Sequence, residues 1–260
     1  ASDNVQFAML ATRFRGNVDP FFAMNAANAS QAGLRLGAYI YSYATSVEMA
    51  QQEADFVLNL IKDYPISFPV VFDAEDANTL GTLTQSQVSD VINAFCKRIQ
   101  DAGYYPMVYA NEYWIANKID MSKISYDIWV AKYQQKYTYS KTSMWQASNT
   151  GSVKGVNGNV DIDYLYKDYT QIIPGNTWRT IAGNRYYYQN HVMQKAAWIN
   201  DGQNWYYMNA AGNPSKGWLE LSGKKYYLEA DGHMITGWKT LDGGWRYFDA
   251  SGEQATGWRA

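Results

Sequence analysis

Tryptophan recurs at positions 178, 198, 218, 238 and 258, always twenty residues apart. Tyrosine keeps the same step at 187, 207, 227 and 247, and glycine at 212, 232 and 252 and at 217, 237 and 257. A fixed period of this size describes a stacked array of small units, none of which can bury a face alone. The clearest unit opens at Gly217-Trp218, turns at Ser222-Gly223 and returns through Lys224-Lys225-Tyr226-Tyr227-Leu228. Together with Asp242-Gly243 in the next copy, this predicts one β-hairpin per unit. A single hairpin is marginal in water, so neighbours must stack through their rings. The first copy departs from the pattern, with Val192 and Ala197 where later copies carry glycine. Terminal repeats are often atypical because they cap the array.

Upstream of the repeats the pattern changes to alternating strands and helices. Strand-like runs are expected at 5–11, 36–43, 67–73, 106–110, 127–131, 143–147 and 159–163. Two amphipathic helices lie among them. One is expected to open at Thr45, with Glu48 completing a capping box, and the other at Thr84 with Gln87. Cys96 falls in the apolar stripe of the second helix and reads as core. This alternation predicts a parallel α/β sheet or an irregular (β/α) barrel, with few helices toward its end. The expected organisation is therefore an α/β barrel domain at 1–170, a linker at 171–177 containing Pro174-Gly175, and an all-β array of stacked hairpins at 178–260.

Rare residues narrow the chemistry. The chain has 260 residues but one cysteine and two histidines, His191 and His233. A disulfide framework and a cysteine-ligated metal are excluded. No Ser-His-Asp set and no histidine-ligated metal fits within the first 190 residues. No metal and no cofactor are expected, and hydrolysis there would have to run on carboxylates. The net charge of −2 argues against nucleic acid as a partner. No membrane span is expected, and the first residues do not read as a signal peptide. Aromatic residues make up 16% of the chain, a content suited to stacking on sugars or enclosing a cation.

The strand Phe68-Pro69-Val70-Val71-Phe72 runs into Asp73-Ala74-Glu75. Residues two apart on a strand point to the same side, so Asp73 and Glu75 are expected to project together at its carboxyl end. Ligand sites of parallel sheets form at that end. Two adjacent carboxylates cannot both ionise freely, and a glutamic acid kept protonated could donate to a leaving oxygen. An acidic surface loop would show the same spacing. Asp161 and Asp163 share a face of a second acidic strand, and Tyr41, Tyr43, Tyr109, Trp129 and Trp145 lie near other strand ends.

The segments Val5 to Arg13, Asp19-Pro20-Phe21-Phe22, Gly37 to Ala44, Pro69 to Glu75 and Asn159-Val160-Asp161 together resemble glycoside hydrolase family 25, the phage- and fungal-type lysozymes or muramidases. The resemblance implies an irregular barrel that cleaves the β-1,4 bond between N-acetylmuramic acid and N-acetylglucosamine in peptidoglycan. It implies Glu75 as general acid, Asp73 as the neighbour that shapes its pKa, and Asp161 as a further cleft carboxylate. Tyr41, Tyr43, Tyr109 and Trp129 would contact substrate. The family's opening Gly-Ile-Asp-Val-Ser type of strand has no counterpart here, so the barrel is expected to be incomplete at its N-terminus, with an open seam. The alternative expectation is a catalytically impaired or inert wall-binding protein.

The repeats resemble choline-binding, or more broadly cell-wall-binding, repeats. That implies partners in choline-bearing teichoic acid or another wall polysaccharide, glucan included, and a secreted, wall-associated protein. Cages are expected around Trp198, Trp205 and Trp218, and around Trp238, Trp245 and Trp258. Arg185 and Lys225 replace the extra tryptophan in the other two copies.

Overall fold

The structure is a computed structural model and describes residues 4–14, 16–133 and 135–256. Trp258 lies outside the described residues. The chain divides into two units, Ala1–Gly175 and Asn176–Ala260.

The first unit is built on one curled sheet of seven strands. These are β1 (Phe7–Ala11), β4 (Arg35–Tyr41), β5 (Ile66–Asp73), β6 (Pro106–Asn111), β7 (Asp127–Ala131), β8 (Thr142–Gly151) and β9 (Val160–Leu165), in that spatial order. A small ribbon, β2 (Arg13–Phe14) with β3 (Asn17–Val18), follows β1. All neighbours in the large sheet run parallel except β8 and β9. β1 and β9 are its two edges. A cavity of about 490 Å³ lies beside both, lined by residues 4–7 at the entry to β1 and by residues 161–165 of β9.

Alternation along each strand sorts side chains between two layers. On β4, Leu36, Ala38 and Ile40 are fully buried, and on β5 Phe72 meets Phe95 of the helix α3 (Gln85–Asp101) at 5.2 Å. The opposite face of the sheet carries Phe68, Val71, Met107, Tyr109, Trp129 and Met144, a second apolar cluster. β5 is buried along its whole length, as a central parallel strand covered on both faces must be.

The helices are α1 (Phe22–Gln31), α2 (Val47–Ile61), α3 and the short α4 (Glu112–Asn117). Thr84 and Gln87 form the expected capping box of α3, and Cys96 is buried there. α2 departs from expectation. Its cap is Ser46, which holds an extended backbone and whose Oγ accepts from the Met49 amide. α1 and α4 were not legible in the hydrophobic pattern. α1 buries only Phe22 and Ala26, too few to make a stripe.

Asp127, at the start of β7, accepts from the Tyr105 and Tyr169 hydroxyls at 2.8 and 2.9 Å and pairs with Lys167 at 2.8 Å. Burial opposes its charge, but these three partners hold it below the usual carboxylate range. Tyr169 and Ile173 pack in the core beside this group. The expected linker is therefore shorter than 171–177: Ile173 belongs to the barrel core and Thr177 opens the next strand.

The second unit is a series of antiparallel hairpins. They are β10 (Thr177–Ile181) with β11 (Asn184–Gln189), β13 (Ala197–Asn200) with β14 (Trp205–Met208), β15 (Gly217–Leu221) with β16 (Lys224–Leu228), and β17 (Gly237–Leu241) with β18 (Gly244–Phe248). The first gains a short third strand, β12 (Val192–Met193), at the position where the repeat had lost its glycine. Ser222-Gly223 and Asp242-Gly243 take positive φ at both residues, the turn geometry that matches strand twist. The twenty-residue period places each tryptophan opposite a tyrosine, as Trp178–Tyr187, Trp198–Tyr207, Trp218–Tyr227 and Trp238–Tyr247. Their ring centroids lie 5.1, 5.4, 5.3 and 5.2 Å apart.

Candidate active site

Four adjacent parallel strands carry one row of aligned residues. Tyr41 pairs in register with Asp73, Asp73 with Tyr109, and Tyr109 with Trp129. Residues level with one another in a parallel sheet share a face. The row lies at the carboxyl end of β5, where Asp73 is its last residue. A cavity of about 630 Å³ opens against this face, lined by Asp73, Tyr109, Trp129, Tyr39, Asp161 and Asp163 among others. Its size suits an oligosaccharide segment.

Asp73 is 8% exposed, and its Oδ1 finds no partner among the described residues. Burial drives its pKa well above the usual range, and repulsion from Glu75 adds to this. Glu75 lines an adjoining space of about 320 Å³ with Asn111, Glu112, Lys132 and Tyr133. Tyr133 lines the larger cavity as well. Burial raises the Glu75 carboxyl, while the Asn111 amide, donating to its Oε1 at 2.7 Å, opposes the rise. Burial therefore acts on both carboxyls in the same direction, and their mutual repulsion adds to it. Glu112 behaves in the opposite way. Lys132 at 2.8 Å and the Thr138 donors bring it down to about 2. Two glutamates of one small space are thus shifted in opposite directions.

A hydrogen-bonded net joins the other side of the cavity. Tyr109 and Tyr133 donate to Gln146 Oε1 at 2.8 and 2.7 Å, and Gln146 Nε2 donates to Asp161 at 3.0 Å. The Trp129 indole donates to Asp163 at 2.9 Å. Desolvation raises Asp161 and pushes Asp163 up to about 7, against the opposing pull of Trp129. Burial and the nearby carboxylates likewise push the Tyr39 phenol up to about 12. Among the described residues no cluster of histidine, cysteine and carboxylates is placed to hold a metal ion.

The structure thus gathers Asp73, Asp161, Tyr109 and Trp129 on one cavity and Glu75 beside it. Tyr41 and Tyr43 do not line either space. Tyr41 points its hydroxyl toward Asp76 at 3.3 Å and packs on Tyr43 at 5.2 Å. Tyr39, Tyr133, Gln146 and Asp163 were not singled out as site residues. Asp163 alone had a sequence signal, its shared face with Asp161. Gln146 had none, because a glutamine bridging three side chains has no local signature. In the second unit Trp198 meets Tyr207 and, on the next hairpin, Tyr226 at 5.0 Å, so its ring partners are tyrosines. Trp205, Trp238 and Trp245 are exposed.

The family model of the glycosyl hydrolases family 25 matches residues 2–156. A model described as a putative cell wall binding repeat matches residues 197–213, 216–234 and 236–253. The uncharacterized protein YegX of Escherichia coli K12 is 29% identical over 164 residues, 61% of this chain and 58% of the relative. The chain therefore spans about 58% of the length of that relative. Among solved structures, the CTP1L endolysin is 26% identical with a TM-score of 0.54, over 64% of this chain and 59% of that one. The autolysin LytC of Streptococcus pneumoniae shares the fold, with a TM-score of 0.56 at 24% identity over 63% of this chain and 41% of its own. With the family model covering more than half of its residues, this chain belongs to glycosyl hydrolase family 25.

Proposed function

We propose that the protein is a cell-wall lytic enzyme that cleaves the β-1,4 bond between N-acetylmuramic acid and N-acetylglucosamine. The observation that carries this reading is the pair Asp73 and Glu75 at the end of a buried strand, beside a sugar-sized cavity with aromatic and acidic walls. Glu75, whose carboxyl burial pushes upward, gives its proton to the glycosidic oxygen as the C–O bond breaks. Positive charge develops at the anomeric carbon of the N-acetylmuramic acid ring that stays behind. Asp73, Asp161 and Asp163 line the cavity where that charge forms and stabilise it when ionised. Water then adds to the anomeric carbon, and its proton passes to the Glu75 carboxylate, which restores the acid. Tyr109 and Trp129, held edge to face at 4.8 Å, offer flat surfaces for the pyranose faces.

The hairpin array holds the enzyme on its insoluble substrate, and tethering of this kind raises local concentration. Trp198, Trp205, Tyr207 and Tyr226 supply the aromatic surface for a quaternary ammonium such as choline. This reading places the protein at the cell wall, outside the membrane. No helix among the described residues is long and apolar enough to cross one.

Clearing of a peptidoglycan suspension by the full chain tests the proposal. New reducing ends should appear on N-acetylmuramic acid, and Glu75→Gln should abolish them. Clearing that survives Glu75→Gln, or reducing ends on N-acetylglucosamine, would remove the assignment.

A further inference from the structure

The hairpins repeat in geometry but not in the chemistry between them. Residues opposite each other, or two apart, share a face of a hairpin. The forward face therefore carries Trp178, Arg185 and Tyr187 in the first copy. It carries Trp198, Trp205 and Tyr207 in the second, and Trp218, Glu220, Lys225 and Tyr227 in the third. Each forward tryptophan meets the next hairpin at a residue 28 positions on: Tyr206 for Trp178, Tyr226 for Trp198, but Arg246 for Trp218.

The three junctions are consequently different. At the first, the Arg185 guanidinium lies 4.1 Å from the centre of the Trp178 ring and donates to the Asp231 carbonyl at 3.3 Å, so the chain's own cation covers that indole. At the second, rings alone face one another. The third holds an open pocket of about 370 Å³, lined by Trp218, Glu220, Lys225, Asp242, Arg246 and Gln254. Asp242 accepts from the Trp218 indole at 3.2 Å and fixes its plane, and Trp218 remains 41% exposed. Arg246 Nε is buried and without a partner among the described residues.

We infer that this third pocket binds a pyranose ring of the wall glycan and not a quaternary ammonium. A trimethylammonium group has no hydrogen-bonding hydrogen or lone pair to offer. It would strip water from the donors Lys225 and Arg246 and from the acceptors Glu220 and Asp242 without replacing one hydrogen bond, and the two cations offset the attraction of the two carboxylates. A pyranose presents an apolar C–H face to an indole, and a rim of hydroxyls that both donate and accept. The pocket supplies donors in Lys225 and Arg246, acceptors in Glu220 and Asp242, and both kinds in Gln254. The array then reads two chemistries, a cation at the second junction and a sugar at the third. The inference rests on the wall-binding role proposed for the repeats. It does not depend on cleavage at Glu75.

The test is calorimetric titration of the full chain, carrying Glu75→Gln to prevent turnover, with tri-N-acetylglucosamine and separately with choline. Two saccharide-binding events are expected, one in the barrel cleft and one in the repeats. Trp218→Ala should weaken the second by about tenfold or more, the scale of a lost aromatic anchor. The double variant Lys225→Trp with Arg246→Tyr, which copies the second junction, should lose the sugar event and take up one more equivalent of choline. A single saccharide event unchanged in both variants, or choline occupying this pocket in the chain without those changes, would overturn the inference. Failure of the lytic reading would leave the event in the repeats and its response to the two variants untouched, so the two failures are distinguishable.

Discussion

Asp73 and Tyr109 face each other in register across the β5–β6 ladder, and the same row continues to Tyr41 on one side and Trp129 on the other. A parallel sheet thereby sets a carboxyl group in a line of aromatic rings without any one loop having to position it. Glu75, two residues beyond the strand, is tied instead to the next strand through the Asn111 amide. Glu75 is thus held by backbone, which would suit the acid role proposed for it.

Glu75→Gln should lower peptidoglycan cleavage by at least about 100-fold, the usual scale for a lost general acid. Folding should be unharmed, because the amide keeps the shape and removes a buried ionisable group. Turbidity clearing beside a thermal melt checks both halves.

Asp163 gives a pH signature of stability. Its pKa is near 7 in the folded chain and about 3.9 when unfolded. The folded state holds the extra proton, so its stabilising effect is full below about pH 4 and is lost as pH rises toward 7. Asp163→Asn should flatten that fall and stabilise the protein at pH 7 by roughly 2 kcal/mol after allowance for solvent screening. Urea melts of both proteins between pH 4 and 8 read the difference, and parallel slopes would contradict it.

Gln146 joins Tyr109, Tyr133 and Asp161, and is 3% exposed. Gln146→Leu strands two hydroxyls and should cost about 1–3 kcal/mol. Cleavage should fall with it through misplacement of Tyr109 and Asp161. A crystal structure of the variant with those side chains unmoved would refute the account.

Glu53 is buried at 5% exposure and pairs with Arg13 at 2.6 Å while accepting from the Ser42 hydroxyl and the Tyr43 amide. Glu53→Ala leaves Arg13 with a charge and no counter-ion, and should destabilise by about 3–5 kcal/mol. Because the same carboxylate holds the residues just after β4, hydrogen exchange at Ser42 and Tyr43 should quicken before the barrel as a whole opens. Uniform exchange would count against this local role.

The hairpin array was legible from spacing alone, because a period of twenty residues brings each Trp opposite a Tyr once the chain turns at Ser222-Gly223 or Asp242-Gly243. The acidic strand tip at Asp73 and Glu75 was legible for a similar reason: alternation along a strand is a local rule. The same local rules missed α1, whose buried face is too small to show, and misplaced the α2 cap by one residue, since Thr45 and Ser46 both carry a hydroxyl that can cap. They also included Ile173 in a linker, although it is core.

Sequence by itself determined which residues alternate, which repeat, and which chemistries a chain with so few histidines and cysteines could run. Tertiary structure decided what those residues are worth. Only packing makes burial, and burial pushes the carboxyls of Glu75, Asp73 and Asp163 upward. Only the sheet's curl brings Gln146 to Tyr109 and Asp161, and only stacking sets Arg185 on one tryptophan and leaves Trp218 open. The reason is physical: desolvation and cross-strand contact depend on neighbours distant in the chain, and a local pattern carries no record of them.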